Sequence, residues 1–143
     1  MVKKIQSYMD LEVWKQTKGL VVAVYNVTKS FPPSEQFGLI SQLRRASISA
    51  LSNIAEGCGR SSHKESLHFL FVARGSLYEV ETQLIVSEEL GFITESVKAI
   101  ILSDLRNCKK ILNGFINYYR GLTGEQLPTT NEQLEEYGSI NDN

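Results

Sequence analysis

Apolar residues recur at steps of three and four along most of this chain, in blocks separated by short polar, glycine or proline breaks. That is the period of an α-helix with one buried face. The first block follows Asp10, which can serve as an N-cap. It runs to about Lys29 with Leu11, Trp14, Val21, Val24, Tyr25 and Thr28 on its stripe. Phe31-Pro32-Pro33-Ser34 closes it, because the residue before a proline is pushed out of helical geometry. The second block starts after Ser34 and stops at Gly57-Cys58-Gly59, whose glycines suit a helix C-terminus. The third opens on Ser62-His63-Lys64-Glu65, a capping-box pattern, and continues to Leu90 before Gly91. At 1.5 Å per residue it would be roughly 40 Å long. The fourth runs from near Thr94 to near Arg120, with Val97, Ile101, Leu105, Cys108, Ile111, Leu112, Phe115 and Tyr119 in one stripe. No strand alternation of useful length interrupts them. Long helices joined by short connections predict an all-α, antiparallel, up-down-up-down four-helix bundle over residues 1–120. Residues 121–143 read as an acidic, flexible tail.

The second helix departs from a simple surface helix. Arg45, Ser49, Ser52, Glu56 and Arg60 form a polar strip. Leu39, Ile40, Leu43, Ala46, Ile48, Ala50, Leu51, Ile54 and Ala55 cover roughly 200° of the remaining arc, about twice what one core-facing side needs. Such a helix is either buried deep in its own subunit or packed partly against another copy; the second reading is adopted. Its many small residues let a neighbouring backbone come close. On the third helix the stripe is Leu67, Leu70, Phe71, Leu77, Tyr78, Leu84 and Ile85, with Arg74 and Glu81 in its middle. Seven residues apart, these two charges cannot pair along one helix. A buried charge without a partner costs several kcal/mol or more, so each needs a partner from elsewhere. Glu56 is the expected partner of Arg74.

Length and composition add limits. A chain of 143 residues with 42% hydrophobic and 22% charged residues is one ordinary globular domain. No apolar run approaches the roughly 18 residues that span a bilayer, and the first residues lack the apolar core of a signal peptide. Cys58 and Cys108 show no disulfide-framework spacing, which suits reduced thiols in a cytoplasm. The net charge of −1 hides an asymmetry: residues 121–143 hold five acidic residues and no Lys or Arg, leaving the first 120 residues with 15 basic against 11 acidic side chains. A modestly basic body permits contact with nucleic acid or an acidic partner. The candidate contacts are Lys15, Lys18, Arg60, Lys64, Arg106, Lys109 and Lys110, with Lys3, Lys4, Lys29, Lys98 and Arg120 as further basic positions. Arg106, Lys109 and Lys110 occupy neighbouring turns of the fourth helix.

Catalytic chemistry finds no foothold. Gly57-Cys58-Gly59 lacks the preceding strand and following lysine of a phosphate loop. His63 and His68, five apart, do not share a helix face, and there is no carboxylate-histidine motif of the di-iron type. Neither a triad nor an acid–base carboxylate pair stands out. The chain is therefore read as a non-enzymatic protein without a cofactor or metal.

Several segments together carry a resemblance: Asp10-Leu11-Glu12-Val13-Trp14; Phe31-Pro32 with Glu35; Gly38-Leu39; Gln42-Leu43-Arg44-Arg45-Ala46; Asn53-Ile54-Ala55-Glu56-Gly57; and Ala73-Arg74-Gly75-Ser76-Leu77 with Glu79. In this order they resemble the bacterial four-helix-bundle proteins of the 23S rRNA intervening-sequence family, over residues 10 to about 120. The resemblance implies a homopentameric ring and kinship with the accessory protein of diversity-generating retroelements. That protein binds a reverse transcriptase and nucleic acid. The expected function is thus an oligomer that binds RNA, DNA or a nucleic-acid enzyme; the alternative is a structural or protein-interaction bundle without nucleic-acid affinity. Buried ion pairing and assembly are assigned to Arg44, Arg45, Asn53, Glu56, Arg74 and Glu81.

Overall fold

The computed structural model describes residues 7–124, and within them the only regular structure is helical. The long helices are α1 (Glu12–Thr28), α2 (Leu39–Cys58), α3 (His63–Glu89) and α4 (Glu95–Thr123), with short 3-10 turns at Tyr8–Asp10 and Pro33–Glu35. Each helix packs on two others in the cyclic order α1, α2, α3, α4, and among the described residues the backbones do not approach closely across either diagonal. This is the up-down-up-down bundle. The acidic segment from residue 125 onward lies outside the described residues, as do residues 1–6.

The helix ends follow local chemistry. Asp10 does not cap α1; its carboxylate accepts the Ser7 amide at 3.2 Å and closes the preceding 3-10 turn, while Leu11 stands at the N-cap. Between Pro33 and α2 the Glu35 carboxylate folds over Gly38 and accepts the Leu39 amide at 3.0 Å, so α2 starts four residues later than the sequence suggests. Ser62 accepts the Glu65 amide at 3.2 Å, and Thr94 accepts that of Val97 at 3.2 Å. The fourth helix continues past Arg120 to Thr123, where Gly124 adopts a left-handed conformation (φ 75°) that ends it.

The core is a continuous column that includes Leu20, Val24, Leu43, Ile54, Leu70, Leu77, Leu84, Leu105 and Leu112. On α3 the buried seam is Leu70, Ala73, Leu77, Val80, Leu84 and Ser87, spaced alternately by three and four residues. Phe71 is only half-buried, and Tyr78 and Ile85 are exposed. Leu67, Leu70, Leu77 and Leu84 of the expected stripe are buried, but the seam continues through Ala73, Val80 and Ser87 rather than Phe71, Tyr78 and Ile85, so its centre is rotated toward the smaller residues. Large side chains drew the expected stripe toward Phe71 and Tyr78, whereas the small Ala73 and Ser87 complete the real seam between its leucines. Arg74 and Glu81, placed mid-stripe by that reading, sit instead at its edge and are half-buried.

Small residues let α2 and α3 approach closely. A Cβ on Gly57 would stand 3.1 Å from the Ser66 carbonyl oxygen and 3.2 Å from Leu70. Between two and three turns further along the helix pair, the Ser76 hydroxyl donates to Ser49 Oγ at 2.9 Å. Part of the unusually small surface of α2 is thus consumed within the protomer.

Candidate interaction surface

The six residues assigned to ion pairing and assembly do not form one cluster. Arg45 Nη2 donates to Glu79 Oε2 at 2.6 Å and to Gln42, a bridge from α2 to α3 on an exposed flank. Glu81 receives Lys109 Nζ from α4 at 2.5 Å, with both groups largely covered. Arg44 is held without a carboxylate: Nε donates to Thr28 Oγ1 at 2.9 Å, and the guanidinium lies 4.6 Å from the Tyr25 ring centre. Asn53 bonds back to Ser49 on its own helix.

The expected Arg74–Glu56 pair does not exist. Glu56 is bound by Arg60, four residues on along the same helix. Arg74 reaches the other way, toward α4, where Nη1 donates to Asn113 Oδ1 at 3.4 Å. The physical reason is the phase of α3. With Ala73 and Leu77 in the seam, Arg74 projects into the α3–α4 groove, on the side opposite Ser76 and α2.

That groove is lined by cations and aromatic faces. Arg74 and Arg120 lie 5.0 and 5.1 Å from the Phe71 ring centre, and Lys109 lies 5.0 Å from that of Tyr78. Cations over ring faces are attracted by the ring quadrupole. Arg106, Lys110, Asn113, Asn117 and Arg120 follow at four- and three-residue steps, so they share one side of α4 next to the groove. From Leu105 to Gly124 that helix carries no Asp or Glu. Among the described residues, Arg74, Arg106, Lys110 and Arg120 form no ion pair. Sequence reading had singled out Arg106, Lys109 and Lys110 but not Asn113 or Arg74 for this face. The acid-free seven-residue spacing of Arg106, Asn113 and Arg120 was the signal available.

The other basic candidates are scattered. Lys15 pairs with Glu12 at 3.9 Å, and Lys18 lies over Trp14 at 5.2 Å. Arg60 covers Phe69 at 4.4 Å and, with Lys64 and His68, lines an open pocket at the start of α3. Neither cysteine suits nucleophilic chemistry: burial raises the Cys58 thiol above its ordinary value and pushes Cys108 up to about 11. His63 rests against Tyr119 rather than an acid. Among the described residues no cluster of His, Cys, Asp and Glu is arranged to hold a metal, and no helix is long and apolar enough to cross a membrane.

A second face is apolar. Val22 and Tyr25 stand one turn apart on α1; Arg44 and Ile48 stand one turn apart on α2. The Arg44–Tyr25 stacking and the antiparallel directions bring Ile48 level with Val22. Val22, Tyr25 and Ile48 are 54%, 38% and 42% exposed, and Phe37, at the entrance to α2, is 90% exposed.

Fold and surface together define a class: a helical bundle with one apolar face and one cationic groove. The 23S rRNA-intervening sequence protein family model matches residues 9–114, and the chain belongs to that family. Among solved structures, it is similar to a protein of unknown function from the S23 ribosomal protein family of Bacteroides thetaiotaomicron, with 21% identity and a TM-score of 0.66. The match covers 73% of this chain and 97% of that one, and it shows the shared fold. No curated protein matches the chain.

Proposed function

We propose that this chain is a non-enzymatic, cytoplasmic assembly protein. Copies pack through the α1–α2 face into a ring, a homopentamer by the family resemblance, and the assembled cationic surface binds nucleic acid or an enzyme that acts on it, such as a reverse transcriptase. The observation that supports this most directly is Phe37. Its ring stands almost wholly in water beside a well-tied turn at the entrance to α2, the helix that also exposes Ile48. Burying one such side chain is worth about 1.5–3 kcal/mol, a strong incentive for a partner surface.

Light scattering and native mass measurement test the assembly. Wild-type protein is expected as one multimeric species, and Phe37→Ser with Ile48→Glu as a monomer with unchanged helical circular dichroism. A monomeric wild type at high micromolar concentration overturns the reading. Mobility shift with structured RNA and with DNA tests the binding, which should weaken steeply as salt rises.

The alternative, an interaction bundle without nucleic-acid affinity, draws support from three of the seven candidate cations. Lys15, Arg60 and Lys109 are already engaged by Glu12, Glu56 and Glu81. Absence of any shift at low salt, with the assembly intact, selects it.

A further inference from the structure

Among the described residues, four cations of the α3–α4 face pair with no carboxylate, and they stand in a line. Arg106, Lys110 and Arg120 lie along about 21 Å of α4 at 1.5 Å per residue. Arg74 joins them from α3, level with Asn113, to whose amide oxygen it donates. Asn113 and Asn117 fall between Lys110 and Arg120 on the same side of the helix. The acids around this line are used or turned away. Glu81 holds Lys109 and Glu88 holds Lys98, while Asp104 falls on the opposite flank of α4 by its helical angle.

The rings of the groove are engaged by the protein's own cations: Phe71 by Arg74 and Arg120, Tyr78 by Lys109. Single strands are held largely by bases that stack on open ring faces. The open ring of α4 is Tyr118, 60% exposed, but it sits on another flank, in a hollow it shares with Leu11. The cationic line therefore offers charge and amide donors without a stacking platform. Phosphate oxygens accept from Arg, Lys and Asn side chains alike. Each strand of a duplex presents one phosphate per about 3.4 Å of axis, so about 21 Å of helix can face about six of them.

We propose that the α3–α4 face takes the phosphate backbone of a double-stranded nucleic acid, recognised by charge and spacing and without base contacts. Arg106, Lys110, Arg74 and Arg120 supply the charge, and Asn117 supplies a neutral donor between them. The proposal rests on the nucleic-acid reading above and narrows it to one face, to duplexes and to sequence-independent binding. In the cyclic order of the helices this face lies across the bundle from the apolar α1–α2 face.

Fluorescence anisotropy tests it, with labelled DNA duplexes of two unrelated sequences and their separated strands titrated with the full chain between about 50 and 200 mM salt. The two duplexes should bind alike, and each more tightly than its separated strands. Arg106→Gln, Lys110→Gln and Arg120→Gln should each make the fall of log affinity with log salt shallower by about 0.9 for every copy in contact. Lys15→Gln and Lys18→Gln should leave that slope unchanged, because Lys15 is held by Glu12 and Lys18 lies over Trp14 on α1. Asn117→Lys should steepen it by a similar amount, an effect that damage to the bundle would not give. Tighter binding of the single strands, or equal slopes in wild type and the α4 variants, overturns the proposal while the nucleic-acid reading stands. Absence of binding to any strand at low salt overturns both.

Discussion

Gly57 is the place where the close approach of α2 and α3 can be measured. Replacing a helical glycine by alanine ordinarily helps, by about 1 kcal/mol in a helix interior and less near an end. Gly57 lies one residue before the last of α2, so its share of that gain is small. Against it stands overlap. The new methyl would sit 3.1 Å from the Ser66 carbonyl oxygen and 3.2 and 3.3 Å from two atoms of Leu70, which is fully buried. The carbonyl belongs to the first turns of α3 and cannot swing aside as a side-chain tip could. The helices must part by a few tenths of an ångström, and overpacking of this kind costs about 1–3 kcal/mol. Gly57→Ala should therefore destabilise by about 1 kcal/mol net.

Gly75 and Gly114 supply the control. Both lie inside helices, and a Cβ at either meets nothing within 4 Å. Gly75→Ala and Gly114→Ala should each stabilise by about 0.5–1 kcal/mol. Urea unfolding followed by circular dichroism gives all three values. Equal stabilisation by Gly57→Ala and Gly75→Ala would show that α2 and α3 have room between them, and the packing argument would fall.

The cross-helix ion pairs should rank by burial. The Lys109 and Glu81 side chains are only 19% and 31% exposed, so Glu81→Gln should cost about 1 kcal/mol; those of Arg45 and Glu79 are 56% and 45% exposed, and Arg45→Gln should cost at most about 0.5 kcal/mol and nothing measurable in high salt. The reverse order in denaturation midpoints would contradict the assignment. Cys108 has its thiol raised from near 9 to about 11, first by burial and further by Asp104, with Thr17 opposing. The unfolded chain therefore ionises this thiol at lower pH than the folded one, and its contribution to stability is full below pH 9 and declines toward pH 11. The stability gap between wild type and Cys108→Ala should shrink over that window, and a constant gap would contradict the buried thiol. Arg74→Ala should cost less than about 1 kcal/mol, because the guanidinium lies at the seam's edge on Phe71 with a long bond to Asn113; a loss of several kcal/mol in thermal or chemical unfolding would restore a buried-charge role.

The helices, their order and their breaks were legible because each rests on local rules. Pro32 and Pro33 end α1, Ser62 and Thr94 cap α3 and α4, and the three-four period marks the faces. The class of the candidate site was partly legible too, since the cations of α4 are a matter of spacing and composition. What the pattern could not supply was rotation. On α3, large residues occupy both the seam and its edge, so hydrophobicity alone left the helix rotation ambiguous. Only the fit of Ala73 and Ser76 against α2 settled it. That rotation turned Arg74 from Glu56 toward Asn113 and set Lys109 on Glu81.

The sequence by itself determined that this protein is an antiparallel helical bundle with a basic body and an acidic end, because periodicity, capping and charge are properties of neighbours along the chain. Tertiary structure alone decided which charges meet and which side chains stay in water. Those outcomes depend on how closely two helix backbones approach, and that distance is set by small residues whose burial leaves almost no mark in a hydrophobic pattern.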